Sequence, residues 1–240
     1  MNATAPSQQR TRIKICGLTR EQDVDAAVAA GADAVGFVLY PKSPRFVTAE
    51  RAAQLAARLP PFVTPVLLFV NANATNVIAA QDRCTRALVQ FHGEESPQEC
   101  MDATQGGNRA WIRAARIPTG PAASFDLVKF ASDFNQAQAI LLDAHVDGYG
   151  GGGKTFNWSL LPTSVNCHLV LSGGLNAANV ADGILQVRPR CTQTLAVDVS
   201  SGVEISKGIK DADKINRFVA AVRAADEQLA KRSHESLPAT

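Results

Sequence analysis

The chain has 240 residues, 46% hydrophobic and 19% charged, with a formal net charge of +2. That is room for one large domain, and the charge leaves no footprint for nucleic acid or an anionic membrane. The cysteines Cys16, Cys84, Cys100, Cys167 and Cys191 form no Cys-x-x-Cys pair and cluster with no histidine, so neither a metal site nor a disulfide framework is indicated and reduced thiols in a cytoplasm fit.

Residues 1–10 form a polar lead-in with no apolar run for a signal peptide or anchor. Residues 11–228 are expected to fold, and residues 229–240 read as a polar tail beyond the last helix. The first strand is Arg12-Ile13-Lys14-Ile15-Cys16, stopped by Gly17. Alternation sends Ile13 and Ile15 to one face and Lys14 and Cys16 to the other. The acidic run from Glu21 to Asp25 suits the first turn of a helix, whose dipole favours carboxylates there. Cys16 thus stands at the carboxyl end of a strand, where parallel α/β folds do chemistry. From the strand alone it reads equally as a small buried hydrophobe.

Further strands follow at a spacing of about 25 to 35 residues, the rhythm of repeated βα units. They are Ala34 to Val38, Thr64 to Val70, Ala87 to Phe91, Arg109 to Ala115, Ala139 to Asp143, His168 to Ser172 and Leu195 to Val199. Helices are expected from Ala49 to Leu59 behind a Thr48 cap, after Asn73 to about Arg83, after Pro97, within Pro121 to Phe134, from Ala177 to Val187, and from Asp211 to Ala225. Eight strands and about as many helices predict a closed (β/α)8 barrel, with an open doubly wound sheet as the alternative.

Three late strand ends finish in small residues: Gly150 to Gly153, Ser172-Gly173-Gly174 and Ser200-Ser201-Gly202. Such loops let backbone N–H groups surround an anion, although glycine also ends many ordinary turns. Asp143 closes an apolar strand, where a carboxyl is expensive unless it reaches the barrel mouth; it reads as an acid or base, or as a loop cap. His92, at another strand end, reads as a structural histidine, and Trp111 and Trp158 as core or lid residues. Strands one and eight are neighbours in a closed barrel, so Asp198 is expected to face Lys14 and pair with it.

The series Lys14-Ile15-Cys16-Gly17-Leu18-Thr19, Pro41-Lys42-Ser43-Pro44-Arg45, Val89-Gln90-Phe91-His92-Gly93, Leu141-Leu142-Asp143, Gly153-Lys154-Thr155-Phe156, Ser172-Gly173-Gly174-Leu175 and Val197-Asp198-Val199-Ser200-Ser201-Gly202-Val203-Glu204 resembles the phosphoribosylanthranilate isomerases of tryptophan biosynthesis. The resemblance runs from about Arg12 to Arg223. It implies a (β/α)8 barrel that needs no cofactor and no metal. Its substrate would be a small phosphoribosyl compound, N-(5-phosphoribosyl)anthranilate, isomerised to 1-(2-carboxyphenylamino)-1-deoxyribulose 5-phosphate by an Amadori rearrangement.

By position the resemblance makes Cys16 the general base and Asp143 the general acid. It matches Arg45 to the arginine that meets the anthranilate carboxylate, and places Gln90, Gly151, Gly153, Gly173, Gly174, Ser201 and Gly202 in substrate binding, the glycine loops gripping phosphate. Lys14 and Asp198 would support the base. Because a free thiol titrates near 8.5, such an enzyme needs a lowered thiol pKa or works through the small thiolate fraction, with Lys14 on the same face to help. Gly152 stands where the family usually has threonine, Asn157 where aspartate is common and Phe91 where leucine is usual; a four-glycine loop is expected to move when empty and close on ligand. The competing readings are a sister phosphosugar barrel, which would carry a carboxylate in place of Cys16, and a non-catalytic phosphosugar-binding protein, which would lack the acid or the base. The sequence carries no indication of oligomeric state.

Overall fold

The computed structural model describes residues 10–118, 125–144, 157–158, 161–162, 165–191 and 193–235, with residues 233–235 described by backbone alone. Eight parallel strands close on themselves in chain order: β1 (Arg12–Cys16), β2 (Ala34–Val38), β3 (Thr64–Phe69), β4 (Leu88–Phe91), β5 (Trp111–Ile117), β6 (Ile140–Ala144), β7 (Leu169–Leu171) and β8 (Leu195–Val199). The closing seam pairs β1 with β8, and sets Lys14 opposite Asp198. Around the barrel lie α1 (Glu21–Ala29), α2 (Ala49–Ala56), α3 (Ala74–Arg83), α4 (Pro97–Ala103), α5 (Leu127–Asp133), α6 (Val180–Val187) and α7 (Ala212–Glu235). The (β/α)8 architecture is therefore the one the strand rhythm predicted, and the open sheet is excluded.

Local chemistry explains the helix starts. Thr48 caps α2 by accepting from Arg51 N at 3.1 Å, and Asn73 caps α3 by accepting from Asn76 N at 2.9 Å. Ser96 and Glu99 form a reciprocal capping box behind Pro97. Several boundaries differ from expectation by a few residues, among them the end of α2 at Ala56 rather than Leu59, and three have a plain cause. Strand five begins at Trp111 because Arg109 N still bonds Thr104 O in the turn that ends α4. Helix α6 begins at Val180, since Asn176 and Asn179 close a turn on their own side chains ahead of it. Helix α7 continues ten residues past Ala225, because Leu229 prolongs the stripe of Val222 and Ala225 and packs on the core. Residues 229–235 are thus helix and not tail.

The period of two sorts the strand residues into layers. Ile13, Ile15, Val89, Phe91, Trp111, Leu142, Leu171, Val197 and Val199 point outward into the main core beneath the helices. Inside the barrel, Ile112, Ala114, Leu141 and Val170 fill the lower part as a separate apolar cluster. One alternation above Leu88, Leu141, Val170 and Ala196, the strands β4, β6, β7 and β8 present Gln90, Asp143, Ser172 and Asp198, all buried, at the carboxyl end. The barrel therefore has an apolar floor and a polar mouth, and every polar side chain there needs a partner.

Beyond β8 the chain makes a 3-10 turn, Ser201–Val203, then an antiparallel hairpin of β9 (Glu204–Ser206) and β10 (Ile209–Lys210) that sequence alone did not suggest. Gly208, with φ +81°, turns it. Among the described residues no helix is long and apolar enough to cross a membrane.

Candidate active site

The inward residues at the strand ends surround a cleft of about 680 Å³. Of the residues singled out from sequence, Cys16, Arg45, Gln90, Asp143, Gly173, Gly174, Asp198 and Ser201 line it together. Lys14 lies one layer below Cys16. Gly202 supports the rim instead, since a Cβ there would come within 2.0 Å of Leu175 O. Gly151 and Gly153 lie outside the described residues, as do the rest of their glycine loop and the lid expected of it.

Cys16 is only 4% exposed, set against Val38, Leu68 and Val70. Burial pushes its thiol pKa up, and the adjacent Lys14 ammonium opposes that without reversing it. Of the two routes expected for the thiol, a lowered pKa is not the one found, because desolvation outweighs one cation, and the small thiolate fraction is the route left. Lys14 Nζ is itself 2.7 Å from Asp198 Oδ1, in a pair whose side chains are 6% and 7% exposed. Burial alone would lower the lysine pKa, but Asp198 and then Cys16 hold it above the ordinary range. Asp198 is completed by Ser172 Oγ, which donates to Oδ2 at 2.9 Å. The ion pair expected from strand adjacency is thus present, and it lies beside the thiol.

Opposite, Asp143 Oδ2 is 3.0 Å from His92 Nε2, and His92 Nδ1 is 3.0 Å from Gln90 Nε2. With the Gln90 amide donating to Nδ1, the ring proton sits on Nε2 and points at the carboxyl group. Asp143 Oδ1 lies on the other side, beside Gly173, where a Cβ would come within 2.9 Å of it and 2.5 Å of Ala144 N. Gly173 and Gly174 have φ of +78° and +65°, and their N–H groups donate to no described residue. Positive φ and the close approach both require glycine here.

Arg45 is held bidentately by Glu204, Nε to Oε1 at 2.7 Å and Nη2 to Oε2 at 2.8 Å. That hydrogen-bonded carboxylate is the main reason its pKa is raised. The pattern of the family described as N-(5'phosphoribosyl)anthranilate (PRA) isomerase matches residues 13–221.

This chain belongs to that family. The N-(5'-phosphoribosyl)anthranilate isomerase of Methylibium petroleiphilum is 61% identical over 221 residues, which cover 92% of this chain and 98% of the relative. The phosphoribosyl anthranilate isomerase structure from Thermotoga maritima aligns with a TM-score of 0.77 at 39% identity, covering 89% of this chain and 99% of that one. A phosphoribosyl anthranilate isomerase solved with reduced 1-(o-carboxyphenylamino)-1-deoxyribulose 5-phosphate has a TM-score of 0.74 at 36% identity, with coverage of 89% and 99%. This chain is accordingly an isomerase of tryptophan biosynthesis.

Two features of this isomerase site escaped the sequence reading. His92 was assigned no chemistry, yet it contacts the candidate acid; the signal was its spacing of two from Gln90, which puts both on the inner face of β4 and its extension. Gln90, expected at the substrate, has its amide nitrogen engaged with His92. Glu204 has no role legible from sequence, and it holds Arg45.

The end of β4 is itself braced. The buried Arg113 guanidinium donates to Phe91 O at 3.1 Å and Gly93 O at 2.9 Å, the carbonyls on either side of His92, and stacks 4.9 Å from the Phe134 ring centroid. Glu95 accepts from Gly93 N at 2.9 Å and Asn71 N at 2.7 Å in the same loop. His92 is thereby fixed from both directions.

Proposed function

We propose that this barrel carries out its family's isomerisation with Cys16 as general base and Asp143 as general acid. The observation that carries this reading is a thiol from β1 and a carboxyl from β6 lining one cleft, the carboxyl with one oxygen held and the other at the cleft. The reaction converts N-(5-phosphoribosyl)anthranilate to 1-(2-carboxyphenylamino)-1-deoxyribulose 5-phosphate. Protonated Asp143 gives its proton to the furanose ring oxygen. The C1–O bond breaks, and the anilino nitrogen lone pair forms the C1=N bond of a Schiff base.

His92 Nε2–H then stabilises the carboxylate left behind, as a hydrogen bond strengthened in the charged state. Cys16, as thiolate, removes the C2 proton; the electron pair moves into C1–C2 and neutralises the iminium as an enolamine, which tautomerises to the ketone. No electrons leave the substrate, so the step balances with an acid and a base alone.

Arg45 takes the anthranilate carboxylate. The N–H groups of Gly173, Gly174, Ser201 and Gly202, joined by the loop of Gly151 and Gly153, take the phosphate. A reducing cytoplasm suits five free thiols. Conversion of the fluorescent anthranilate substrate tests the assignment: Cys16→Ser and Asp143→Asn should each lower turnover by at least roughly 10²-fold with phosphate binding kept. Near-normal turnover in either variant removes that residue from the mechanism.

A further inference from the structure

We propose that Lys210 and Glu204, on the hairpin after β8, are positioning residues that set the direction and net charge of Arg45, and so make the cleft selective for a ligand bearing a carboxylate on its aromatic ring. This rests on the reading of Arg45 given above and extends it to two residues that do not touch ligand.

Glu204 alone is a poor arrangement for an anion site. By occupying Nε and Nη2 it turns the guanidinium, but it also cancels its charge, and a neutral pair attracts a carboxylate weakly. Lys210 removes that difficulty. Its Nζ, with 0% side-chain exposure, is 2.8 Å from Glu204 Oε1. It also donates to Ser200 O at 3.0 Å and approaches Ser200 Oγ at 3.3 Å. One carboxylate between two cations leaves the trio with a net positive charge, and Arg45 is the member at the cleft. Its Nη1 donates to no described residue, which leaves one edge of the guanidinium for a planar anion.

A purely structural clamp does not need the lysine. The bidentate contact with Arg45, together with Gly208 N at 3.3 Å, already satisfies Glu204. Burying a second ammonium adds desolvation, and burial does lower the Lys210 pKa against the pull of Glu204. The hairpin is also anchored as a rigid support. Lys210 N bonds Asp23 Oδ2 at 3.3 Å, Arg20 bridges to Asp23, and Lys214 Nζ of α7 bonds Glu204 O at 2.7 Å. The stem of Arg45 runs so close over Gly17 that a Cβ there would come within 2.4 Å of Arg45 Cδ. Guanidinium, carboxylate and ammonium are therefore placed by α1, α7, the hairpin and β1 together.

The test uses two inhibitors, the reduced product with its ring carboxylate and the same compound without it. Their ratio of inhibition constants reads carboxylate recognition, while the carboxylate-free compound reports the rest of the site. The wild type should favour the carboxylated compound. Lys210→Met should cut that preference about tenfold with the other constant unchanged, and Lys210→Arg should restore it. Lys210→Gln, which keeps a donor to Glu204, is read in the same way should Lys210→Met fail to fold. A preference unchanged in the neutral variants overturns the inference. Arg45→Ala separates the two levels: if it abolishes the preference while the lysine variants keep it, only the role of Lys210 and Glu204 fails, and if it too leaves the preference intact, the assignment of Arg45 fails first.

Discussion

His92 Nε2 lies 3.0 Å from Asp143 Oδ2, and the whole imidazole is held between that carboxyl and the Gln90 amide. An acid in a cleft is useful only if one oxygen is fixed while the other meets substrate, and this contact does the fixing. Removing the ring should let Asp143 rotate and leave its carboxylate less stabilised after proton transfer. His92→Ala is therefore expected to lower kcat by roughly 10²-fold with KM little changed, and His92→Gln, which can place a donor near the same point, should recover part of it. A KM effect without a kcat effect would assign His92 to binding.

For Cys16 the sign of the pH dependence follows from burial. The thiol is raised above its ordinary value, chiefly by desolvation, so the proton is held more tightly in the free enzyme and the basic form grows only on the alkaline side of an ordinary thiol's range. The kcat/KM profile should climb on its alkaline side, and iodoacetamide labelling of Cys16 should climb with it. Lys14→Met removes the opposing cation and should move both to still higher pH. A labelling rate flat from pH 7 upward would contradict the raised thiol.

Where the chain alternates and stops at a small residue, as β1 does at Gly17 and β8 at Ser200, the strand and its facing could be read from residues alone, and with them the Lys14 to Asp198 pair. That pair needed only two facts, the period of two and the adjacency of first and last strands. Cys16 and Asp143 were legible as candidates because each closes its strand at the carboxyl end, Asp143 after an apolar run; the roles of base and acid rest on the family resemblance. His92 was not, since its spacing of two from Gln90 gives a facing but no partner, and the partner is 51 residues away. The hairpin was not, because strands of three and two residues show no periodicity. Its contact with Arg45 is set by α1 and α7 packing on either side, a tertiary fact. The overrun of α7 shows the opposite error: charged residues around Leu229 suggested a tail, whereas one leucine at the right spacing keeps the helix on the core.

The Lys14 to Asp198 pair predicts a specific pattern of stabilities. Lys14→Met leaves Asp198 buried with, among the described residues, the Ser172 hydroxyl as its partner, and stripping one member from a buried pair costs about 3–5 kcal/mol. Lys14→Met combined with Asp198→Asn should recover most of that, because no unpaired charge remains. Urea unfolding midpoints of the two variants check it; equal losses in both would show that Lys14 contributes packing rather than charge.

Gly36 offers a test of the base that leaves its chemistry untouched. It sits opposite Cys16 in the pairing of β2 with β1, and a Cβ there would come within 2.6 Å of Cys16 Sγ and 3.1 Å of Lys14 Cε. The backbone cannot yield easily, since Gly36 O accepts from Gly17 N at 2.8 Å and Leu18 N at 3.0 Å. The side chain must therefore move, and a thiol can only jump between staggered rotamers or strain out of one. Misplacement of a reacting group by about 1 Å can cost on the order of 10²-fold in rate. Gly36→Ala should accordingly lower kcat by roughly 10- to 10²-fold, while overpacking lowers stability by about 1–3 kcal/mol. Binding of a phosphate-bearing product analogue, which reads the far side of the cleft, should stay near wild type. If kcat were unchanged in a folded Gly36→Ala enzyme, the position of Sγ could not matter to the reaction, and Cys16 would lose its role as the base.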